Sequence, residues 1–444
     1  MRIKRISAIN LFGVFNHSIP MNLEDRITII HGPNGFGKTV LLKMLDGLFS
    51  SRYSEFRTIP FKEFRIEFDD ESKFWVHKNN EVRDKKRKAR NSSSILNFNF
   101  SKPGDSPKSF STSPMDTRDI EFPLGIIEHE IPELERVGPA MWRHIPTREI
   151  VSLEEILDRY GNVIPFKLRE EQEWMQDFRK SIHVRFIETQ RLLSSSSPLM
   201  KSKYEKHASM VPAVNRYSED LAGVIQSTLA EYAALSQSLD RSFPQRLVMQ
   251  KPASVLAAEE LDNKLKELEQ KRSSLMEIGL LDKEGKESFQ VPREIDDTKT
   301  SVLSVYVQDV EKKFSVFEEI SAKIKLFSEI LNGRFLYKKM TISKDKGFTF
   351  TTSKGDLLSP SSLSSGEQHE LVLLYELLFK IKSNSLILID EPELSLHIAW
   401  QEQFLKDLQK ITQLSNFDVL ISTHSPQIIS DRWDLTVELR SPTE

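Results

Sequence analysis

The 444-residue chain contains no cysteine. That excludes disulfides, thiolate zinc sites and cysteine nucleophiles together, and it fits a reducing cytosol. No apolar run approaches the ~18 residues that a membrane-spanning helix needs. The first residues, Met1-Arg2-Ile3-Lys4-Arg5-Ile6, enter a strand-like alternation rather than a signal sequence. A soluble, cytoplasmic protein is expected. Charge of one sign is also missing: 62 Lys and Arg stand against 65 Asp and Glu, a net charge of -3. Contact with nucleic acid would therefore need a local patch. No self-similar period marks a repeat protein, and the length suggests two or three domains.

The stretch that organises the chain is Gly32-Pro33-Asn34-Gly35-Phe36-Gly37-Lys38-Thr39, which reads G-x-x-x-x-G-K-[ST]. Apolar Ile27–Ile30 precedes it and helix-patterned Val40–Leu45 follows, the strand–loop–helix context of a phosphate-binding loop. The loop's backbone N–H groups converge on phosphate oxygens, and the helix N-terminus adds its positive dipole. Lys38 is expected to reach the β- and γ-phosphates, and Thr39 to hold Mg2+ through its hydroxyl. A nucleotide-binding α/β domain follows.

Along the chain, residues 2–31 read as strands, and Phe61–Phe68 with Lys73–His77 as pieces of a β-meander. Arg83–Arg90 places six basic residues in eight. Such a run is a solvated loop tip or a contact for a phosphate backbone. Ser152 with Glu155 three positions on is a capping box opening a helix at Leu153–Tyr160. Ile182–Ile187 alternates like a strand and runs into Glu188-Thr189-Gln190-Arg191. From about 199 to 335 the pattern is long polar helices, packing as a short antiparallel coiled coil. Pro244, Pro252 and Pro292 are expected to mark helix ends. Strands resume at Phe335–Ser343 and Gly347–Thr352.

Three further motifs carry chemistry. Leu386-Ile387-Leu388-Ile389-Asp390-Glu391 is an apolar strand ending in two carboxylates, a Walker B strand. Asp390 would bind Mg2+ and Glu391 would orient and polarise the attacking water. Before it, Ser364-Ser365-Gly366-Glu367 opens a helix and offers N–H groups and a hydroxyl, a second anion site. After it, Leu420–Ser422 ends in Thr423-His424-Ser425-Pro426, with the histidine at the end where α/β sheets bind ligands.

In this order the motifs resemble the ABC-type ATPase family, in its SMC- and RecF-like branch rather than the membrane transporters. The blocks Asp390–His397 and Thr423–Pro426 look most like the AAA ATPases of the overcoming-lysogenization-defect (OLD) group, and like the PtuA-type ATPases of Septu and retron antiphage systems. The resemblance covers about 1–80 and 335–430. It implies an ABC-type head, a RecA-like parallel sheet plus an antiparallel β subdomain, with an inserted helical domain. The implied division is 1–198 for the N-terminal half of the head, 199–334 for the insert and 335–444 for the C-terminal half.

The resemblance also implies residue roles. Gln190 matches a Q-loop glutamine that senses Mg2+ and water, Ser395-Leu396-His397 a D-loop, and His424 the switch histidine. ATP with Mg2+ would be buried in a head-to-tail dimer, with Ser364, Ser365, Gly366 and Glu367 of one subunit closing over the P-loop of another. As no acidic cluster suits metal-dependent cleavage, no nuclease activity of its own is expected. The implied role is the regulatory subunit of an antiphage complex whose effector, a nuclease or toxin, is a separate protein. The alternative is a DNA-binding ATPase of repair or chromosome maintenance.

Overall fold

The computed structural model describes residues 1–80, 94–112, 123–145, 148–160, 172–187, 193–194, 211–249, 256–282 and 297–441. Contacts divide the chain into two units. The first comprises Met1–Thr189, Ser197–Ser202 and Ile381–Glu444, the second Gln190–Ser196 and Lys203–Lys380.

The first unit is built on a five-stranded sheet whose paired strands are all parallel. Their order is His183–Ile187, Ser385–Asp390, Asp418–Ser422, Ile27–His31 and Thr436–Glu438. Ser385–Asp390 is buried at every position, as its near-continuous apolar run requires of a central parallel strand. Register aligns Ile187 with Ile389, Ile389 with Ile421, and Ile421 with Ile29, so the C-terminal ends of these strands finish together. A second sheet is antiparallel, in the order Phe15–Pro20, Ile3–Leu11, Glu63–Phe68, Lys73–Asn80, Ser94–Ser101 and Lys108–Thr112. It contains the expected meander.

The helix Lys38–Phe49 joins the two sheets. Its Leu41, Leu42, Leu45 and Leu48 share one buried cluster with Leu386, Leu388 and Leu420 of the parallel sheet and with Ile66 and Phe68 of the antiparallel one. Each such side chain contributes roughly 1.5–3 kcal/mol by burial, which fixes where the helix, and the loop before it, must start. A small sheet, Leu134–Gly138, Met141–His144 and Ile150–Ser152, packs with the helix Leu153–Tyr160 around Trp142. The capping box forms there: Ser152 N–H donates to Glu155 Oε2 at 2.6 Å, and Glu155 N–H to Ser152 Oγ at 3.3 Å.

The second unit holds the helices Ala213–Val248, Ala258–Glu277, Asp297–Ser315 and Glu318–Arg334. Lys264 pairs with Glu311 at 2.7 Å, Lys313 with Asp240 at 2.8 Å, and Arg246 with Asp309. Pro244 does not end a helix. It lies inside Ala213–Val248, where Met249 N–H still reaches Gln245 O at 3.0 Å, so the cost of its missing N–H falls near the end of a long helix. Pro252 and Pro292 lie outside the described residues.

The contact division at 380/381 differs from a boundary at 334/335. The sheet Lys338–Ser343, Gly347–Thr352 and Leu357–Leu358 belongs with the helices. The cause is close packing: Ser218 Oγ lies 2.7 Å from Phe348 O, and a Cβ on Gly347 would fall 1.8 Å from Ser218 O.

Candidate functional site

The P-loop leaves the strand Ile27–His31 with two glycines whose positive φ would strain any residue that carries a Cβ. A Cβ on Gly32 (φ 149°) would sit 3.0 Å from Leu439 O, and one on Gly37 (φ 90°) 2.7 Å from Leu11 Cδ2. The exposed part of the loop, Pro33, Asn34 and Gly35, is anchored at Phe36. His17 Nε2 lies 2.8 Å from Phe36 O, and the Phe15 and Phe36 rings stand 4.9 Å apart. The helix that follows has no side-chain cap and no acidic residue in its first turn, so its first N–H groups stay available to an anion.

Lys38 is 5% exposed. Its ammonium donates to Gly32 O at 2.9 Å and Pro33 O at 3.0 Å, and lies 3.4 Å from His424 Nδ1. Burial pushes its pKa below the ordinary lysine value, against the upward pull of the Glu391, Asp390 and Glu393 carboxylates. Thr39 Oγ1 donates to Asp390 Oδ1 at 3.1 Å. Burial raises the Asp390 pKa, and hydrogen bonds from Ser422 and Thr39 moderate the rise.

Glu391 sits at a left-handed φ of 44° with its N–H on Ser422 O at 2.8 Å. That conformation is uncommon for a residue with a Cβ and is typical of reactive positions. Its Oε1 lies 3.8 Å from His424 Nε2. Lys38, Thr39, Asp390, Glu391 and His424 thus gather at one end of the parallel sheet, because the three strands that deliver them are adjacent and in register.

These residues fit a Mg2+-bound nucleotide. Among the described residues no group of three or more His, Cys, Asp or Glu could hold a metal alone. Thr39 and Asp390 would instead share the cation with phosphate oxygens, the usual arrangement for Mg2+.

The remaining motif residues are placed as follows. In the second unit, Ser364 is the N-cap of Ser365–Tyr375 with a complete capping box. Glu367 accepts from Ser364 N–H at 2.8 Å and from Lys338 Nζ at 2.6 Å. Burial alone would raise the Glu367 pKa, but Lys338 and Ser364 hold it below the ordinary value. Its carboxylate therefore serves the cap, and the N–H groups of Ser365 and Gly366, in the first turn of the helix, have no intrahelical acceptor. His397 caps Ile398–Ser415, accepting from Ala399 N–H at 3.3 Å. Gln190 and the Arg83–Arg90 cluster lie outside the described residues.

Sequence reasoning assigned nothing to Glu393 or Gln401. Glu393 Oε1 accepts from Thr423 Oγ1 and from His424 N–H, both at 2.8 Å. Gln401, 7% exposed, donates to Glu393 O and Leu396 O at 3.1 Å and accepts from Ser425 Oγ at 3.1 Å. The only linear signal was the acidic residue two positions beyond Glu391.

No curated protein matches the chain. Among solved structures it is similar to the SMC head domain with an extended coiled coil, bound to the C-terminal domain of ScpA, from Pyrococcus furiosus. That match has 13% identity and a TM-score of 0.37, covering 99% of this chain and 94% of that one. It is also similar to the SMC head domain from Thermotoga maritima, at 12% identity and a TM-score of 0.30, covering 97% and 93%. The AAA ATPase domain family matches residues 1–429. With its phosphate loop and carboxylate strand joined through Thr39 and Asp390 inside that span, the chain belongs to the AAA ATPase domain family.

Proposed function

We propose that the protein is an ABC-type ATPase that binds ATP with Mg2+, closes as a head-to-tail dimer and reopens on hydrolysis. It would act as the regulatory subunit of an antiphage complex whose nuclease or toxin effector is a separate protein. The observation that carries the ATPase reading is the convergence of Lys38, Thr39, Asp390, Glu391 and His424, from three adjacent strands, beside an uncapped helix N-terminus.

The residues divide the work. The P-loop N–H groups and Lys38 bind and orient the phosphates, and Lys38 neutralises charge that spreads over the γ-phosphoryl oxygens. Glu391 orients the attacking water and takes its proton, while the Pγ–O bond to the departing ADP breaks. His424 sits between Lys38 and Glu391, where it can hydrogen-bond a γ-phosphate oxygen. Mg2+, held through Thr39 and Asp390, would supply charge neutralisation across the β- and γ-phosphates.

Exposed Leu394 and Ile398, just past the Walker B strand, support the dimer reading. The regulatory role is supported by the motif blocks 390–397 and 423–426.

The test is a pull-down of tagged Glu391→Gln protein from its own cells with ATP and Mg2+, followed by mass spectrometry. A stoichiometric nuclease or toxin supports the regulatory reading. Nuclease-sensitive DNA with no protein partner replaces it by the DNA-binding ATPase.

A further inference from the structure

We infer that Glu393 and Gln401 are positioning residues, a two-armed clamp that holds His424 against the reaction centre. The inference rests on the ATPase reading above and adds two residues to it. The parallel ladder of Asp418–Ser422 ends just before the histidine: Thr423 N–H still reaches Ile30 O at 3.1 Å, but His424 N–H has passed the last strand partner. Glu393 takes it. One carboxylate oxygen receives both that N–H and Thr423 Oγ1, which fixes the peptide plane from which the imidazole projects. The other oxygen, Oε2, is buried with no hydrogen-bond partner among the described residues.

The second arm grips both sides of the same gap. Through its NH2 group Gln401 holds the carbonyls of Glu393 and Leu396, and through its oxygen it accepts from Ser425. The turn Pro392–Ser395 and the segment 423–425 are therefore joined by a carboxylate and a carboxamide, with His424 between the two joints. Neither side chain need touch the nucleotide to set the histidine's reach toward Lys38 and Glu391.

Two readouts test this on the full chain. The first is hydrogen–deuterium exchange of the nucleotide-free protein over residues 421–426. Glu393→Ala is expected to accelerate exchange at the His424 amide roughly tenfold or more. Glu393→Gln, which keeps an acceptor oxygen, restores protection. The second is a double-mutant cycle on ATP turnover. Glu393→Ala is expected to lower kcat roughly ten- to a hundredfold, with the affinity for a fluorescent ATP analogue within about twofold, and to add nothing in a His424→Ala background.

Unchanged exchange at His424 in Glu393→Ala overturns the clamp, as does full additivity with His424→Ala. If Glu393→Ala does not fold, Gln401→Ala leaves the carboxylate in place and is read by the same exchange and the same cycle. Absence of ATP turnover in the unsubstituted protein would overturn the proposed function instead, and the exchange comparison is independent of that result.

Discussion

Replacing Lys38 by methionine separates binding from folding. The ammonium makes two hydrogen bonds, to Gly32 O and Pro33 O. Bonds to a charged donor are worth about 1.5–3 kcal/mol each at full value. Pro33 is exposed and Gly32 half-buried, so water can replace most of that loss. Acting the other way, burial depresses the Lys38 pKa below its ordinary value of 10.5. An ammonium whose folded pKa lies below the unfolded one subtracts stability at neutral pH, and stops doing so as pH rises toward the unfolded value. A neutral, similarly long side chain removes that penalty. The two effects nearly offset, and Lys38→Met without nucleotide is expected to lie within about 2 kcal/mol of the parent protein.

Nucleotide separates the two proteins. Ligand at a hundred times its Kd adds about 2.7 kcal/mol of stability, which at roughly 2–4 °C per kcal/mol is a rise in Tm of about 5–10 °C. Differential scanning fluorimetry with and without ATP and Mg2+ should show that rise in the parent and none in Lys38→Met. A rise retained in the variant would refute the phosphate contact of Lys38. A loss of more than about 4 kcal/mol without nucleotide would show that the lysine is a structural keystone and that the two effects do not offset.

Three other substitutions follow from the same geometry. Glu391→Gln should bind ATP normally and accumulate an ATP-dependent dimer, and multi-angle light scattering with no mass change on adding ATP would contradict the closed-dimer mechanism. Glu367→Ala removes the carboxylate half of the capping box and the Lys338 pair, and urea denaturation should show a loss of about 1–3 kcal/mol at neutral pH. Because the folded pKa of Glu367 is depressed, that loss should shrink as pH falls below the ordinary carboxylate value of 4.5. Asp158, which accepts from Ser54 N–H at 2.9 Å, is pushed by burial up to about 6 from 3.8. A raised folded pKa means that stability falls as pH rises through this window. Asp158→Asn should therefore stabilise the protein above pH 6 by up to about 3 kcal/mol and by little below pH 4; equal Tm values for the two proteins at pH 7.5 would refute this.

The local features were legible because each is written in consecutive residues. The capping box at Ser152 needs only a hydroxyl and a carboxylate three positions apart, and it forms; the helix expected to open at Ser364 begins at Ser365. The Walker B strand announced its burial through four apolar residues in a row, Leu386 to Ile389, with Asp390 at the terminus. Pro244 misled, since a proline near the end of a 36-residue helix costs one bond and packing on neighbouring helices outweighs it.

The sequence by itself determined which groups are present for chemistry: a glycine-bearing loop with Lys38 and Thr39, two carboxylates at a strand end, and a histidine at another. It could not say that Thr39 and Asp390, 351 positions apart, share a hydrogen bond. That follows from strand order, which depends on how helix Lys38–Phe49 and the two sheets bury one another's apolar faces. Nor could it reveal Glu393, whose partners are a hydroxyl and a backbone N–H about thirty residues further on. A backbone N–H carries no residue identity, so a role defined by binding one is visible only after the chain has folded.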